Sequence, residues 1–425
     1  MAKKNILVFP CGSEIGLDIY SSVCDSTHFN LIGGSSVEDH GKFVYKRYIG
    51  NIPFINDPDF IPSLANIVRE NNIDAIYPTM DEAITIIKKH EDQLGCRIVS
   101  SPLKTVQLCL SKRDTYCNLT NIIRVPQTYS ITENIEYPVF VKPNIGYGAR
   151  GAKTIRTKQD LEAAIRENAD LLICELLPGE EYTVDCFTDR HGTMLYTNAR
   201  KRNRIKGGIS VNTSFVNNIE RDKFARISST INKHIKFRGA WFYQVKKDNH
   251  GELCLLEIAS RLGGSSLLSR ALGINLAMLS LFDIFDYDVS IVKNDYYIEL
   301  DRALDNKYTS NITYTSAYID YDDCLILDNE RINTNLVKFI FNCINRGIKV
   351  SLLTKHIGDL ERNLHKYRLY HLFDKIIHIS PEDEKYKYIK DENAIFIDDS
   401  HAERKKVKEK NGIAVFSPDM IDVLI

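Results

Sequence analysis

The sequence predicts a multidomain α/β and α+β protein, and three features of its 425 residues carry that expectation. Strands alternate with helices at both ends, as parallel βαβ units do. Between these blocks the strands are longer, alternate in polarity and are joined by tight turns, the pattern of an antiparallel sheet. A polar, Asn/Asp-rich run from about Glu299 to Ile312 reads as a linker. The expected division is 1–102, 103–305 and 306–425.

In the first block, Asn5–Phe9 reads as a strand followed by Gly12-Ser-Glu-Ile-Gly16 and a helical stretch. Ile73–Tyr77 is a second strand, running into Asp81-Glu82, a carboxylate pair at a strand end that suits either a ligand or solvent. Glu82–Leu94 has helical spacing and Arg97–Val99 returns as a strand. The middle block opens with a helix over Lys104–Leu119. It continues with long strands at Glu181–Phe187 and Trp241–Val245, the second turning through Asp248–Gly251 into Glu252–Glu257. In the last block, Ala317–Asp320, Lys349–Leu353, Ile376–Ile379 and Ala394–Ile397 read as strands. Leu336–Asn345 reads as a helix stopped by Gly347, and Ser400-His-Ala-Glu403 as a capping box opening a basic, solvated helix.

Composition narrows the class of function. Hydrophobic residues make up 44% and charged ones 26%, the balance of a soluble globular protein. A net charge of −1 gives no global field for nucleic acid or an anionic membrane. Ten cysteines are scattered singly, without C-x-x-C or a Cys/His cluster, which points to a reducing compartment and away from structural zinc. The apolar run at the start is too short for a signal peptide, and no later run is long enough to span a bilayer. A cytoplasmic protein with no nucleic-acid or membrane partner is expected.

The string FVKPNIGYGARGAKTI (140–155) carries the first candidate site. Its Gly146, Gly148 and Gly151 spell G-x-G-x-x-G, but a second strand pattern follows where a dinucleotide site needs a helix. Ala152 puts Lys153 out of register for a P-loop. A glycine loop between two strands is a hairpin lid that lets backbone N–H groups approach phosphates, or else a hairpin with no ligand. Around it stand Lys112, Lys142, the Glu175–Glu181 turn, and Gln244 facing Glu257 across a hairpin, with Arg261 four residues on.

The strings SKRD (111–114), FVKPNIGYGARG, CELLPGEEYTVD (174–185) and LLEIASRLGGS (255–265) resemble the ATP-grasp superfamily, especially its carbamoyl-phosphate-synthase-like carboxylate–amine ligases. The resemblance covers about residues 1–300 and implies a Rossmann-like N-terminal domain followed by an ATP-grasp domain. It also implies ATP and Mg²⁺, with Mn²⁺ as a substitute, and a small-molecule carboxylate and amine as substrates. By it, Lys112 and Lys142 contact the phosphates under the 146–151 lid. Glu175 and Leu177 line the adenine edge, Glu181 holds the ribose, Gln244 and Glu257 bind Mg²⁺, and Arg261 stabilises an acyl phosphate. One position departs from the pattern: E-I-A-S-R carries Ala259 where E-I-N-x-R supplies a metal oxygen. The basic run Arg200–Lys206 falls where the family has a mobile loop near the γ-phosphate. A plain surface strand is the alternative, and RNA binding a third reading that the missing aromatics disfavour.

A second constellation lies in the last block. Asp320 and Asp322 end one apolar strand and Asp398-Asp399 another, with Thr354 and Lys385 between. Two aspartates at i and i+2 let one attack phosphorus while the other handles the proton. This resembles the haloacid-dehalogenase-like phosphatases. It implies a doubly wound domain with little or no cap, Asp320 as nucleophile, Asp322 as acid/base, and Thr354 and Lys385 as phosphate anchors. Asp320, Asp322, Asp398 and Asp399 would be at the Mg²⁺, and a phosphorylated small molecule, or the ligase product, the substrate. Cys324 stands where a Thr is customary, and Lys387 is a rival for Lys385. The competing reading of the whole chain is an ATP-binding sensor without ligase turnover, with only the phosphatase active. A homodimer is allowed for.

Overall fold

A computed structural model of the chain describes residues 3–294, 297–303 and 311–424, so half of the expected linker, 304–310, lies outside the described residues. The chain forms two compact units, Met1–Asp305 and Asn306–Ile425. No helix among the described residues is long and apolar enough to cross a membrane, and all ten cysteines are free.

The first unit opens on a five-stranded parallel sheet whose centre is Lys4–Phe9, flanked by Phe29–Gly34 and Ala75–Pro78. Successive side chains of a strand point to opposite faces. Ile6 and Val8 therefore enter one core while Leu7 and Phe9 enter another, all four essentially unexposed. Burial on both faces explains why this strand reads as a continuous apolar run. The chain order reverses at Lys4–Phe9, so the helices Glu14–Val23 and Asp81–Lys89 start at the strand ends where such sheets bind ligands.

Two antiparallel sheets follow. A four-stranded one contains Val139–Pro143 paired with Lys153–Ile155, the glycine hairpin. A six-stranded one contains Glu181–Thr188, Met194–Lys206, Ile209–Phe215, Gly239–Lys247 and Leu253–Ala259. Its edge strand, Glu299–Asp301, pairs with Ile209–Phe215, so the first residues of the expected linker belong to the sheet. The helix Asn218–His234 covers this sheet, and Trp241 stacks on Phe237 with ring centroids 4.0 Å apart. The single helix expected over Lys104–Leu119 is two, Leu103–Leu110 and Lys112–Leu119. Ser111 leaves the helical backbone and its Oγ accepts from the Asp114 N–H at 3.1 Å, which starts the second helix at Lys112.

The second unit is a five-stranded parallel sheet in the order Lys375–His378, Lys349–Thr354, Ser316–Ile319, Ala394–Ile397, Ala414–Phe416. Its strands also divide their apolar residues between two cores: Ala317 and Ile319 against Tyr318, Leu352 against Leu353, Ile397 against Phe396. Ser400 caps the helix His401–Asn411 and Gly412, at φ +71°, ends it.

One buried charge is costly to the fold. Asp18, in the helix Glu14–Val23, is 6% exposed and its Oδ2 has no hydrogen-bond partner. Burial pushes its carboxyl up to about 7, against the pull of Arg302 and Arg270. A folded-state value above the ordinary 3.8 means that stability is fully present below the lower value and lost as pH rises through the higher one. Asp18→Asn is thus expected to raise the thermal midpoint by several degrees at about pH 8 and by far less near pH 4. Equal midpoint shifts at the two pH values would contradict this.

Candidate functional site

A cavity of about 560 Å³ lies wholly within the first unit, between the glycine hairpin and the six-stranded sheet. The ends of the parallel sheet contribute Ser13, Glu14, Thr79 and Asp81 to its wall. Of the expected residues, Lys112, Lys142, Gly146, Gly148, Glu181, Gln244, Glu257 and Arg261 line it. Gly151, Glu175 and Leu177 do not stand on that wall. Leu177 is buried, the Glu175 carboxylate accepts from Arg124 at 2.6 Å and from the Gln127 N–H at 2.8 Å, and the Glu175 N–H donates to the Gln127 carbonyl at 2.9 Å.

Two lysines face the cavity with no ion pair recorded among the described residues. Lys142 ends its strand buried, with Nζ donating to Tyr116 Oη at 2.5 Å and to the Leu256 carbonyl at 2.9 Å. Burial holds its ammonium below the usual lysine range, against the pull of Cys174 and Glu257. Lys112 Nζ donates to the Gly146 carbonyl of the lid at 3.0 Å. Among the described residues no carboxylate is recorded within ion-pair reach of either. A buried ammonium satisfied only by neutral oxygens is costly unless an anion arrives.

On the opposite wall, strand pairing sets Gln244 across from Glu257. Ala259 is buried at the end of the same strand and supplies no side-chain oxygen. Arg261 is clamped by Asp81, with Nε 2.9 Å and Nη2 2.8 Å from Oδ2, and lies over the Phe242 ring. Burial opposes its charge, but Asp81 offsets this and holds the guanidinium above its ordinary value.

The basic run is a strand and not a loop. Arg200, Arg202 and Arg204 alternate with Lys201 and Asn203, and period 2 turns Arg200 and Arg202 to the cavity. Arg200 Nε pairs with buried Asp185 at 2.7 Å. Arg202 bonds the Glu181 carboxylate, Gln244 Oε1 at 3.0 Å and the Gly208 carbonyl at 2.6 Å, while its Nε is buried without a partner. Composition singled out this run, but only its alternation could have separated the cavity arginines from the outer lysine. Gly208 sits at φ +79°, and a Cβ there would meet the Gly148 carbonyl and the Ala149 Cβ at 2.6 Å. The turn and the glycine lid therefore touch above the cavity.

The second unit gathers its carboxylates at the C-terminal strand ends. Asp320, Asp398 and Asp399 can each offer one oxygen within 4.8 Å of the others. Lys385 Nζ lies 2.6 Å from Asp398 Oδ2 and 2.7 Å from Asp320 Oδ1. Lys385 thus bridges the two buried carboxylates as an ion pair. Burial, helped by Asp398, pushes Asp320 up to about 7 against the pull of Lys385. Thr354 is fully buried. Lys387 is exposed and pairs with Asp383 at 2.9 Å, so Lys385 is the lysine of this cluster. Cys324 packs in the core with Sγ 3.7 Å from the Ile397 carbonyl. Asp322 is half-exposed, and His356, a residue the sequence did not single out, meets it at 2.8 Å.

The first unit thus combines a parallel sheet, a glycine hairpin and a cation-lined cavity over an antiparallel sheet, an arrangement whose likenesses are ATP-grasp-like. Residues 167–301 match the model of a family described as "ATP-grasp in the biosynthetic pathway with Ter operon". A stretch of 128 residues is 27% identical to the carbamoyl phosphate synthase large chain of Thermoplasma volcanium, spanning 26% of this chain and 12% of that protein. Among solved structures, the biotin carboxylase domain of the Hydrogenobacter thermophilus 2-oxoglutarate carboxylase, in complex with Mg-ADP and bicarbonate, is similar at TM-score 0.60 and 15% identity. That likeness covers 70% of this chain and 74% of the other. An L-amino acid ligase from Bacillus licheniformis is similar at TM-score 0.55 and 16% identity, over 67% and 74% of the two chains. The N5-carboxyaminoimidazole synthetase of Staphylococcus aureus gives TM-score 0.54 at 16% identity, over 67% and 78%.

Proposed function

We propose that the first unit is an ATP-dependent ligase that joins a small-molecule carboxylate to an amine through an acyl phosphate. The observation that carries this reading is the pair of lysines, Lys112 and Lys142, facing the cavity under the glycine hairpin with no ion-pair partner among the described residues. A polyphosphate is the anion that fits both this charge and this volume. The donor set opposite, Gln244 and Glu257, offers the oxygens that Mg²⁺ prefers. Bound Mg-ATP supplies the phosphoryl group that activates the carboxylate.

The chain's own residues do the rest. Lys112 and Lys142 spread the charge that develops on the phosphoryl oxygens. The 146–151 lid and the Gly208 turn exclude water, without which an acyl phosphate would hydrolyse. Arg261, held by Asp81, stabilises the acyl phosphate until the amine attacks and phosphate leaves. Glu181 takes the ribose, and the Glu175 carbonyl and the Leu177 backbone take the adenine. Both steps need Arg202 to release Glu181 and Gln244.

The second unit, in the same proposal, is a Mg²⁺-dependent phosphatase acting on a phosphorylated small molecule or on the ligase product. The gathering of Asp320, Asp398 and Asp399, each with an oxygen within 4.8 Å of the others, supports a metal there. Lys385 and Thr354 would anchor the phosphate.

The test is ADP release across a matrix of carboxylic acids and amines, using the Asp320→Asn protein to remove phosphatase background. Release that requires one acid and one amine together supports the ligase. Tight ATP binding without release on any pair favours a sensor, the reading that Ala259 supports. Gly208→Val forces a side chain into the lid at an unfavourable φ, and is expected to slow ADP release about 10²-fold. Wild-type rates in that variant would show that the turn does not close the site.

A further inference from the structure

We propose that His356 is a positioning residue of the second unit, holding Asp322 for proton transfer at the ester oxygen of the substrate. The inference rests on the phosphatase reading of that unit.

Asp322 needs a holder. Its side chain is 41% exposed, and it lies just past the strand end in a turn where Asp323 takes a positive φ of +50°. Left alone, such a carboxylate samples several rotamers, and only a minority would place a proton on the leaving oxygen.

His356 is built to supply that hold. Its ring is 10% exposed and fixed on three sides. Nδ1 lies 2.8 Å from Asp322 Oδ1. Nε2 lies 3.1 Å from Asn363 Nδ2, and an amide nitrogen only donates, so Nε2 accepts and the ring hydrogen sits on Nδ1, facing Asp322. The Tyr321 ring meets the imidazole edge-on at 4.9 Å. The backbone is fixed as well: the His356 N–H donates to Thr354 Oγ1 at 3.1 Å, and its carbonyl accepts from His378 Nε2 at 2.7 Å. One residue thus ties the proposed phosphate anchor to the proposed acid/base.

The step it serves balances as follows. A carboxylate oxygen of Asp320 bonds to phosphorus while the phosphorus–ester oxygen bond breaks, and protonated Asp322 gives its proton to the departing oxygen. Asp322 then takes a proton from the water that attacks phosphorus, the bond to Asp320 breaks, and phosphate leaves. With Oδ1 engaged by Nδ1–H, the other oxygen of Asp322 is the one that carries the proton.

Leaving-group dependence tests this, because a departing oxygen that is already a good leaving group needs little protonation. The full chain would be assayed with Mg²⁺ on 4-nitrophenyl phosphate and on phenyl phosphate. His356→Ala should lower kcat on phenyl phosphate by about 10- to 100-fold and on 4-nitrophenyl phosphate by less than about threefold, with KM nearly unchanged. His356→Asn, whose amide N–H can stand near Nδ1, should recover part of the phenyl phosphate rate. Asn363→Ala, which frees the ring without removing it, should show the same selectivity more weakly and covers the case in which His356→Ala fails to fold. An equal fall on both esters, or no fall on either, would overturn the proposal. If wild type hydrolyses neither ester, or Asp320→Asn matches wild type, the phosphatase reading itself fails and this proposal with it.

Discussion

Asp320→Asn is expected to abolish phosphate-ester hydrolysis by the second unit, with a fall of at least about 10³-fold in kcat. An amide oxygen is a poor nucleophile, and the substitution also removes one of the three carboxylates gathered for a metal. The protein should nonetheless stay folded. Burial pushes Asp320 up to about 7 from an ordinary 3.8, so without metal the fold loses stability as pH rises through that window. A neutral side chain removes that loss, and Lys385 keeps its partner Asp398 at 2.6 Å. A thermal midpoint at neutral pH equal to or above wild type, together with lost hydrolysis, is the expected pair of results. Retained hydrolysis would show that Asp320 is not the nucleophile.

The largest effect expected in the first unit comes from Lys142→Met. The substitution keeps the apolar stem and removes an ammonium that burial already disfavours, so the fold should survive. The Leu256 carbonyl keeps Tyr116 Oη as its donor at 2.6 Å, so the two lost hydrogen bonds cost about 1 kcal/mol each. Catalysis should suffer far more, because the charge developing on the transferred phosphoryl group loses a preorganised cation inside a closed site. ADP release is expected to fall by about 10²- to 10³-fold at an unchanged thermal midpoint. Near-wild-type release would mean that the polyphosphate lies elsewhere.

Much of this was legible in the sequence where the signal is local. The period-2 runs on either side of Gly146–Gly151 are the hairpin observed, and the Asp248–Gly251 turn starts the register that a one-residue shift at Leu256 then adjusts to oppose Gln244 to Glu257. The Ser400 cap forms as its spacing implies. What escaped depends on contacts distant in the chain. The partners of Lys142 include Leu256, 114 positions away, and Arg261 is held by Asp81, 180 positions away. Asp81 showed only as a carboxylate at a strand end, suited equally to solvent. Helical spacing runs unbroken through Ser111, so only the capped backbone reveals two helices there. The basic run drew notice for its charge, while its alternation, which makes Arg202 a cavity residue, was overshadowed by the composition. His356 follows Thr354 by two residues but carries no pattern of its own. Its meaning rests on Asp322, 34 positions earlier.

Trapping the acyl phosphate tests the central claim most directly. Hydroxylamine replaces the amine, so only the carboxylate has to be found, and any acyl phosphate formed is captured as a hydroxamate that colours with ferric iron. The full chain, carrying Asp320→Asn, would be incubated with Mg-ATP, hydroxylamine and a panel of carboxylic acids. We expect one acid, or a few close analogues, to give hydroxamate and ADP in equal amounts, with both lost in Lys142→Met. Binding of ATP with neither product above the acid-free blank, across the panel, would contradict the ligase and leave a nucleotide sensor in its place.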